Sequence, residues 1–174
     1  MDFSFRLPNV DGNFVSPDDF PDAKGFIIIF SCNHCPYVIG SEERIISLHN
    51  KYAPQGFPVI AVNSNDPSQY PEDSFENMKR KSEQKKFPFK YLFDESQEVA
   101  KRYGAERTPH VFVLKKENSK LNLVYKGGID DNPKMASAVT EKFLEPVMEA
   151  LIKGEPLPRH EAPVLGCTVK WKKG

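Results

Sequence analysis

The run GFIIIFS, residues 25–31, constrains what this chain can fold into more than any other stretch. It is apolar and β-branched without the polar alternation of a half-exposed strand, so it predicts a central strand covered on both faces. CNHCP, residues 32–36, follows directly. After Pro36 the texture changes: Val38, Ile45, Leu48 and Tyr52 recur at helical spacing until APQG, residues 53–56, ends the pattern. FPVIAVNS, residues 57–64, reads as a second buried strand. Strand, helix and strand in this order make a β-α-β unit with a right-handed crossover. Two cysteines three residues apart therefore sit where the first strand hands over to the first helix.

The rest of the chain extends that unit. LPNVDGNFVS alternates around Asp11-Gly12 and predicts a short N-terminal hairpin. Beyond the second strand come a Pro- and Ser-rich loop (66–71), a polar helix (73–84) and a short strand (91–93). A compact helix follows over 95–104, with Gly104 in the C-cap region. HVFVLKK (110–116) and LNLVYKG (121–127) predict an antiparallel hairpin across the polar ENS. Val139, Phe143, Val147 and Leu151 recur every four residues as a last helix, in which Pro146 marks a first turn or a kink. The closing residues are Pro-rich and then alternate, which predicts an extended arm with a strand at CTVKW. The expectation is one α/β domain, residues 1–154, with an arm, 155–174, belonging to the same unit.

Composition excludes several function classes. The 174 residues are one domain's worth, and 39% hydrophobic with 28% charged residues describe an ordinary globular chain. Basic and acidic residues balance at 24 each, leaving no field of one sign to recruit nucleic acid or an anionic membrane. KRKSEQKK (79–86) and KWKK (170–173) are short enough to be solvated faces. Thirteen Phe with one Trp make an aromatic interior rather than a base-stacking platform. There is no Gly-rich phosphate loop and no Ser-His-Asp set. MDFSFRLPNVDG lacks the apolar segment of a secretory signal, and no apolar stretch approaches the ~18–20 residues of a membrane span. A cytoplasmic address is the expectation. Three cysteines suit a disulfide-stapled secreted scaffold poorly, so the Cys-x-x-Cys pair reads as catalytic or metal-binding.

A thiol at a strand–helix junction faces unpaired N–H groups, which favour its thiolate. Three-residue spacing lets the second sulfur attack a mixed disulfide formed on the first. Cys32, nearer the strand, is expected to be the more exposed and acidic thiol, titrating below a free cysteine's ~8.5, and Cys35 the more buried. Asn33 and His34 intervene, and His34 is placed to donate a hydrogen bond or a charge to the Cys32 thiolate. Thr108-Pro109 directly precedes a strand, where the X-Pro bond is expected to be cis.

FSCNHCPYV, the inserted helix and strand, YGAERTPHVFVL and the tail LGCTVKWK together resemble the thioredoxin superfamily, specifically its peroxiredoxin-like (AhpC/TSA-like) branch carrying Cys-x-x-Cys. The resemblance covers nearly the whole chain. It implies a thioredoxin-like fold: a central mixed sheet flanked by helices, with the N-terminal hairpin, inserted helix-strand and C-terminal arm added. It implies a thiol–disulfide oxidoreductase working through a Cys32/Cys35 couple more oxidising than thioredoxin's ~−270 mV, with Asn33, His34, Pro36, Thr108 and Pro109 supporting. It also implies an alternative, antioxidant hydroperoxide reduction, with Cys35 attacking peroxide and Cys32 or Cys167 resolving. In that alignment Cys32 stands where the family has threonine and Ile28 where it has proline. Pro109 stands where it has arginine, with Arg107 two residues early. On the thioredoxin side, Ser31 replaces a tryptophan and Phe26 a buried aspartate. No cofactor is implied. The partners implied are a protein or small-molecule disulfide or a hydroperoxide, a cellular thiol reductant, and a second copy in a homodimer.

Two non-enzymatic readings stay open. One is a metal-binding module using Cys32, Cys35 and His110 or Cys167; the other is a redox-dead scaffold. Of the other histidines, His49 is expected at the surface of the first helix and His160 solvated in the arm.

Overall fold

The structure, a computed structural model, describes residues 1–173. Strands β1 (Leu7–Pro8) and β2 (Phe14–Val15) pair antiparallel around the Asp11-Gly12 turn, where Gly12 takes φ 88°. β3 (Gly25–Ser31) is buried at every residue and leads through the cysteines into α1 (Pro36–Ile39) and α2 (Glu42–Tyr52). Then come β4 (Val59–Asn63), α3 (Phe75–Lys85), β5 (Lys90–Phe93), α4 (Glu98–Tyr103) and β6 (Arg107–Thr108). β7 (His110–Glu117) and β8 (Lys120–Gly127) form a hairpin, followed by α5 (Leu144–Lys153) and β9 (Cys167–Thr168). Asn118 and Ser119 both take positive φ at the hairpin tip, 51° and 66°, the backbone of a tight two-residue turn.

The main sheet runs β5-β4-β3-β7-β8, with β3 parallel to β4, β4 parallel to β5, and β7 antiparallel to both its neighbours. The period of two sorts β3 between two cores. Ile27 and Ile29 pack with Ile45 and Leu48 of α2, Met78 of α3 and Leu144 and Val147 of α5. Phe26, Ile28 and Phe30 pack on the other face with Val99 and Tyr103 of α4 and with Phe3 and Phe5. This is the mixed, helix-flanked sheet that the resemblance implies, with the predicted β-α-β unit at β3, α2 and β4.

The ends of the chain lie against the sheet's outer strands. Val10 donates its backbone N–H to Tyr91 O (3.2 Å), and Tyr91 N–H donates to Asn9 Oδ1 (2.9 Å), beside β5. On β8, Lys126 N–H donates to His160 O (3.0 Å) and Ala162 N–H to Lys126 O (3.2 Å).

Three expectations need correction. The first helix is two, broken at Gly40-Ser41. A Cβ on Gly40 would strike the carbonyls of Pro133 and Lys134, and the Ser41 hydroxyl donates to Pro133 O at 2.9 Å. Contact with the loop around residue 133 thus overrides helical periodicity, and an adjacent Gly/Ser pair is a common place for a helix to break. Gly40→Ala is expected to cost about 1–3 kcal/mol of stability through overpacking, read as a lower midpoint in urea. The last helix begins only at Leu144, with Pro146 in its first turn, so Val139 and Phe143 precede it. His49 is half-buried rather than at the surface: its Nδ1 accepts the Val59 N–H at 3.1 Å, and burial lowers its pKa. His160 is exposed, as expected.

Candidate active site

The apolar demand of β3 ends at Ser31, and the next four residues form the turn that carries the thiols. Cys35 caps α1, and Pro36 sits exposed at its first position, where the missing N–H costs nothing. Opposite them stands Thr108, the last residue of β6, followed by buried Pro109; the bond between the two is cis, as expected. Cys35 Sγ donates to Thr108 O at 3.7 Å, and Cys32 Sγ lies 3.8 Å from Thr108 Oγ1. The carbonyl bond places the proton on Cys35, so it belongs to the state in which that sulfur is a thiol. Both cysteines are free and almost wholly buried, Cys32 at 2% exposure and Cys35 at 1%.

The third thiol comes from the arm. β9 pairs antiparallel with β6, setting Cys167 across from Thr108, and Cys167 packs against the cluster of Cys32, Cys35 and Val38. When Cys35 is ionised, the Cys32 thiol, the Cys167 thiol and the backbone N–H groups of Val38 and Cys167 all serve its sulfur as donors. These donors, the Cys32 thiol foremost, outweigh burial and pull the Cys35 thiol down to about 4. Cys32 is pushed up by its hydrogen bond to Cys35, by burial and by the charge of Asp73. The balance of donors therefore favours the anion on Cys35 over the anion on Cys32. The expected difference in exposure is absent, since both sulfurs are buried, and the directions of the two pKa shifts run opposite to expectation, Cys35 lowered and Cys32 raised.

His34 is engaged elsewhere as well. Its Nδ1 lies 2.7 Å from Asp73 Oδ2, and its ring stacks on Tyr70 with the planes 10° apart. Asp73 has no solvent exposure. Its Oδ1 accepts the Asn33 N–H (2.8 Å), and its Oδ2 also accepts from Asn65 Nδ2 (2.9 Å). Asn33 is buried, donates to Glu72 O (2.9 Å), and accepts from the Tyr91 hydroxyl (2.8 Å). This network fixes the turn before α1. The sequence reading missed Asp73. In YPEDS nothing separates it from its exposed neighbour Glu72, because burial of an acid at a loop–helix boundary leaves no hydrophobic period to read.

Cys32, His34 and Asp73 each bring a metal-ligating atom within 4.8 Å of the others. They could hold a divalent ion, but both Asp73 oxygens are already taken by protein donors. His110, the ligand suggested by sequence, is buried, and its Nδ1 accepts from the Glu106 N–H at 3.3 Å. Burial lowers its pKa to about 4. Arg107 is exposed and donates to Gly166 O at 3.0 Å.

The AhpC/TSA family matches residues 3–121, two thirds of the sequence. The chain belongs to the AhpC/TSA family. Two solved structures are similar over 98% of it, each with a TM-score of 0.89. One is an uncharacterized conserved protein from Geobacillus kaustophilus, 42% identical and covered over 90% of its length. The other is a hypothetical protein from Sinorhizobium meliloti, 35% identical and covered over 92%. An exposed lipoprotein thioredoxin from Streptococcus pneumoniae is similar in fold alone: 20% identity and a TM-score of 0.57 over 71% of this chain and 87% of that one. The fold is thioredoxin-like. No curated protein matches. In this AhpC/TSA chain the family match ends at Leu121, so α5, the arm and Cys167 lie beyond it. No helix among the described residues is long and apolar enough to cross a membrane.

Proposed function

We propose that this protein is a thiol–disulfide oxidoreductase whose nucleophile is Cys35 and whose second thiol is Cys32. One observation carries the reading: Cys32 and Cys35 are packed together, with Cys167 against them, beside Thr108, where the balance of donors favours the Cys35 anion. The Cys35 thiolate attacks one sulfur of a substrate disulfide; a Cys35–substrate bond forms and the other substrate sulfur leaves, taking up a proton. Cys32 then gives up its proton and attacks Cys35 Sγ, forming Cys32–Cys35 and releasing the second substrate thiolate. Asp73 and His34 are the groups within reach to receive that proton. A cellular thiol would return the pair to the dithiol.

The same thiolate supports a second reading, hydroperoxide reduction. Cys35 would attack a peroxide oxygen, breaking the O–O bond and releasing water or an alcohol as it becomes a sulfenic acid, and Cys32 would displace water from it to close the disulfide. An arginine to steady the leaving oxygen is what this reading lacks, since Arg107 turns to the arm.

Stopped-flow mixing of the reduced protein with stoichiometric hydrogen peroxide, and separately with a small aromatic disulfide, tests the two. The expected result is fast reaction with the disulfide, and peroxide oxidation no faster than that of an ordinary thiolate. Peroxide oxidation orders of magnitude faster than free cysteine, lost in Cys35→Ser, would make the second reading the function.

A further inference from the structure

The arm is seated on the thiol site by more than the β9–β6 pair. Val169 N–H donates to Glu106 O (3.0 Å), Lys170 N–H to Asn65 Oδ1 (2.9 Å), and Lys170 O accepts from Asp66 N–H (2.9 Å) and Gln97 Nε2 (2.9 Å). Gly166 lets the strand approach, because a Cβ there would collide with the Thr108 carbonyl. The segment thus lies along the backbone next to Pro109, over Cys32 and Cys35. Of the three thiols only Cys167 is partly open to solvent. A reductant arriving from outside meets Cys167 first, while a Cys32–Cys35 disulfide would lie beneath it.

We propose that Cys167 is a third redox thiol that takes over the Cys32–Cys35 disulfide and presents it to a low-molecular-weight thiol in solution. This rests on the disulfide-exchange reading above. In the oxidised site the Cys167 thiolate attacks Cys35 Sγ. The Cys35–Cys167 bond forms, the Cys32–Cys35 bond breaks, and Cys32 leaves as a thiolate that takes up the proton Cys167 gave up. The protein neither gains nor loses electrons in that step. An external thiolate then attacks Cys167 Sγ, and Cys35 leaves as the thiolate its donors already favour. A second external thiolate attacks the bound reagent's sulfur, freeing Cys167 and completing the reagent disulfide. In sum, two external thiols become one disulfide, and the protein disulfide becomes two thiols.

The resting site keeps Cys167 quiet until it is needed. Burial first, then the hydrogen bond to Cys35 and the Cys35 charge, hold the Cys167 thiol up at about 11. Oxidation removes the negative charge from Cys35, and with it the two causes that depend on that thiolate. The arm thiol becomes more acidic when there is a disulfide for it to attack.

The full chain is oxidised with stoichiometric diamide, quenched in acid, alkylated and mapped by peptide mass. Both Cys32–Cys35 and Cys35–Cys167 are expected in the unmodified sequence, and Cys35–Cys167 in Cys32→Ser. Re-reduction by glutathione is expected to slow roughly tenfold or more in Cys167→Ser and equally in Cys167→Ala, the scale of a step deprived of its attacking thiol. Recovery of Cys32–Cys35 alone, with Cys167→Ser reduced at the unmodified rate, overturns the relay and leaves the disulfide-exchange reading standing. Failure to recover Cys32–Cys35 in any form overturns that reading itself. The mapping needs no variant, so a poorly folding substitution does not shield the proposal.

Discussion

Cys35→Ser removes the thiolate of the reduced protein, and turnover of a disulfide substrate falls by roughly three orders of magnitude or more, the scale on which loss of a nucleophile acts. Cys32→Ser differs in kind: the first mixed disulfide still forms and only Cys167 is left to resolve it, so it accumulates when Cys167→Ser is added. The same substitutions change how stability depends on pH. The donors around Cys35, the Cys32 thiol foremost, pull its thiol down to about 4 in the folded chain, far below the ~8.5 of an unfolded cysteine. A depressed acid stabilises the fold fully above its unfolded value, and the contribution is lost as pH falls through the folded one. Cys32 and Cys167 are raised, so above roughly pH 8.5 the unfolded chain ionises them more readily and stability declines again. Relative to Cys35→Ser, the reduced protein should gain stability from about pH 4 to roughly 8.5, by more than the ~1.4 kcal/mol that one pKa unit represents. Urea midpoints across that range, in a phosphine reductant, measure the difference. A difference that does not vary with pH would remove the thiolate from Cys35.

Asp73→Asn should cost about 3 kcal/mol, the scale of breaking a buried charged pair, because an amide nitrogen then replaces the oxygen that lies against His34 Nδ1 and accepts from Asn65. Its second effect is on the thiol. With Cys35→Ser as background, Cys32 is left to burial and the Asp73 charge, both of which raise it. Removing that charge lowers the titration of Cys32, followed by thiolate absorbance. If Cys32 titrates identically with Asp and Asn at 73, the acid is structural and the proton acceptor must be sought elsewhere.

The contrast between these two residues shows what the amino-acid order carries and what it hides. GFIIIFS is legible because a strand covered on both faces demands apolar residues at every position, and the flanking pattern dictates where the cysteines must lie. Thr108-Pro109 is legible for the same reason, being a fixed turn before a strongly apolar strand. Which cysteine favours the anion is not legible, since it turns first on how the two sulfurs meet each other after folding, and then on a donor from sequence-distant Cys167 and a charge from Asp73. His34 was read as a partner for Cys32 because they are neighbours in the chain. A buried carboxylate 39 residues away takes its Nδ1 instead. The break at Gly40 escaped as well, because Val38 through Tyr52 keeps its helical spacing in register while the loop at 133 wedges into the turn. Local periodicity reports the core faithfully. It says little about polar groups that meet only after folding.

The two end segments lying against β5 and β8 bear on how copies of this protein can associate. An uncovered outer strand offers a ladder of backbone donors and acceptors to any other strand, and proteins that stay dispersed usually block it. Here residues 9–10 occupy part of one margin and residues 160–162 part of the other. Joining two sheets side by side along those stretches would first require peeling these segments back, so a dimer should be built on helices or loops. Removing either segment should bare a sticky margin and favour aggregation.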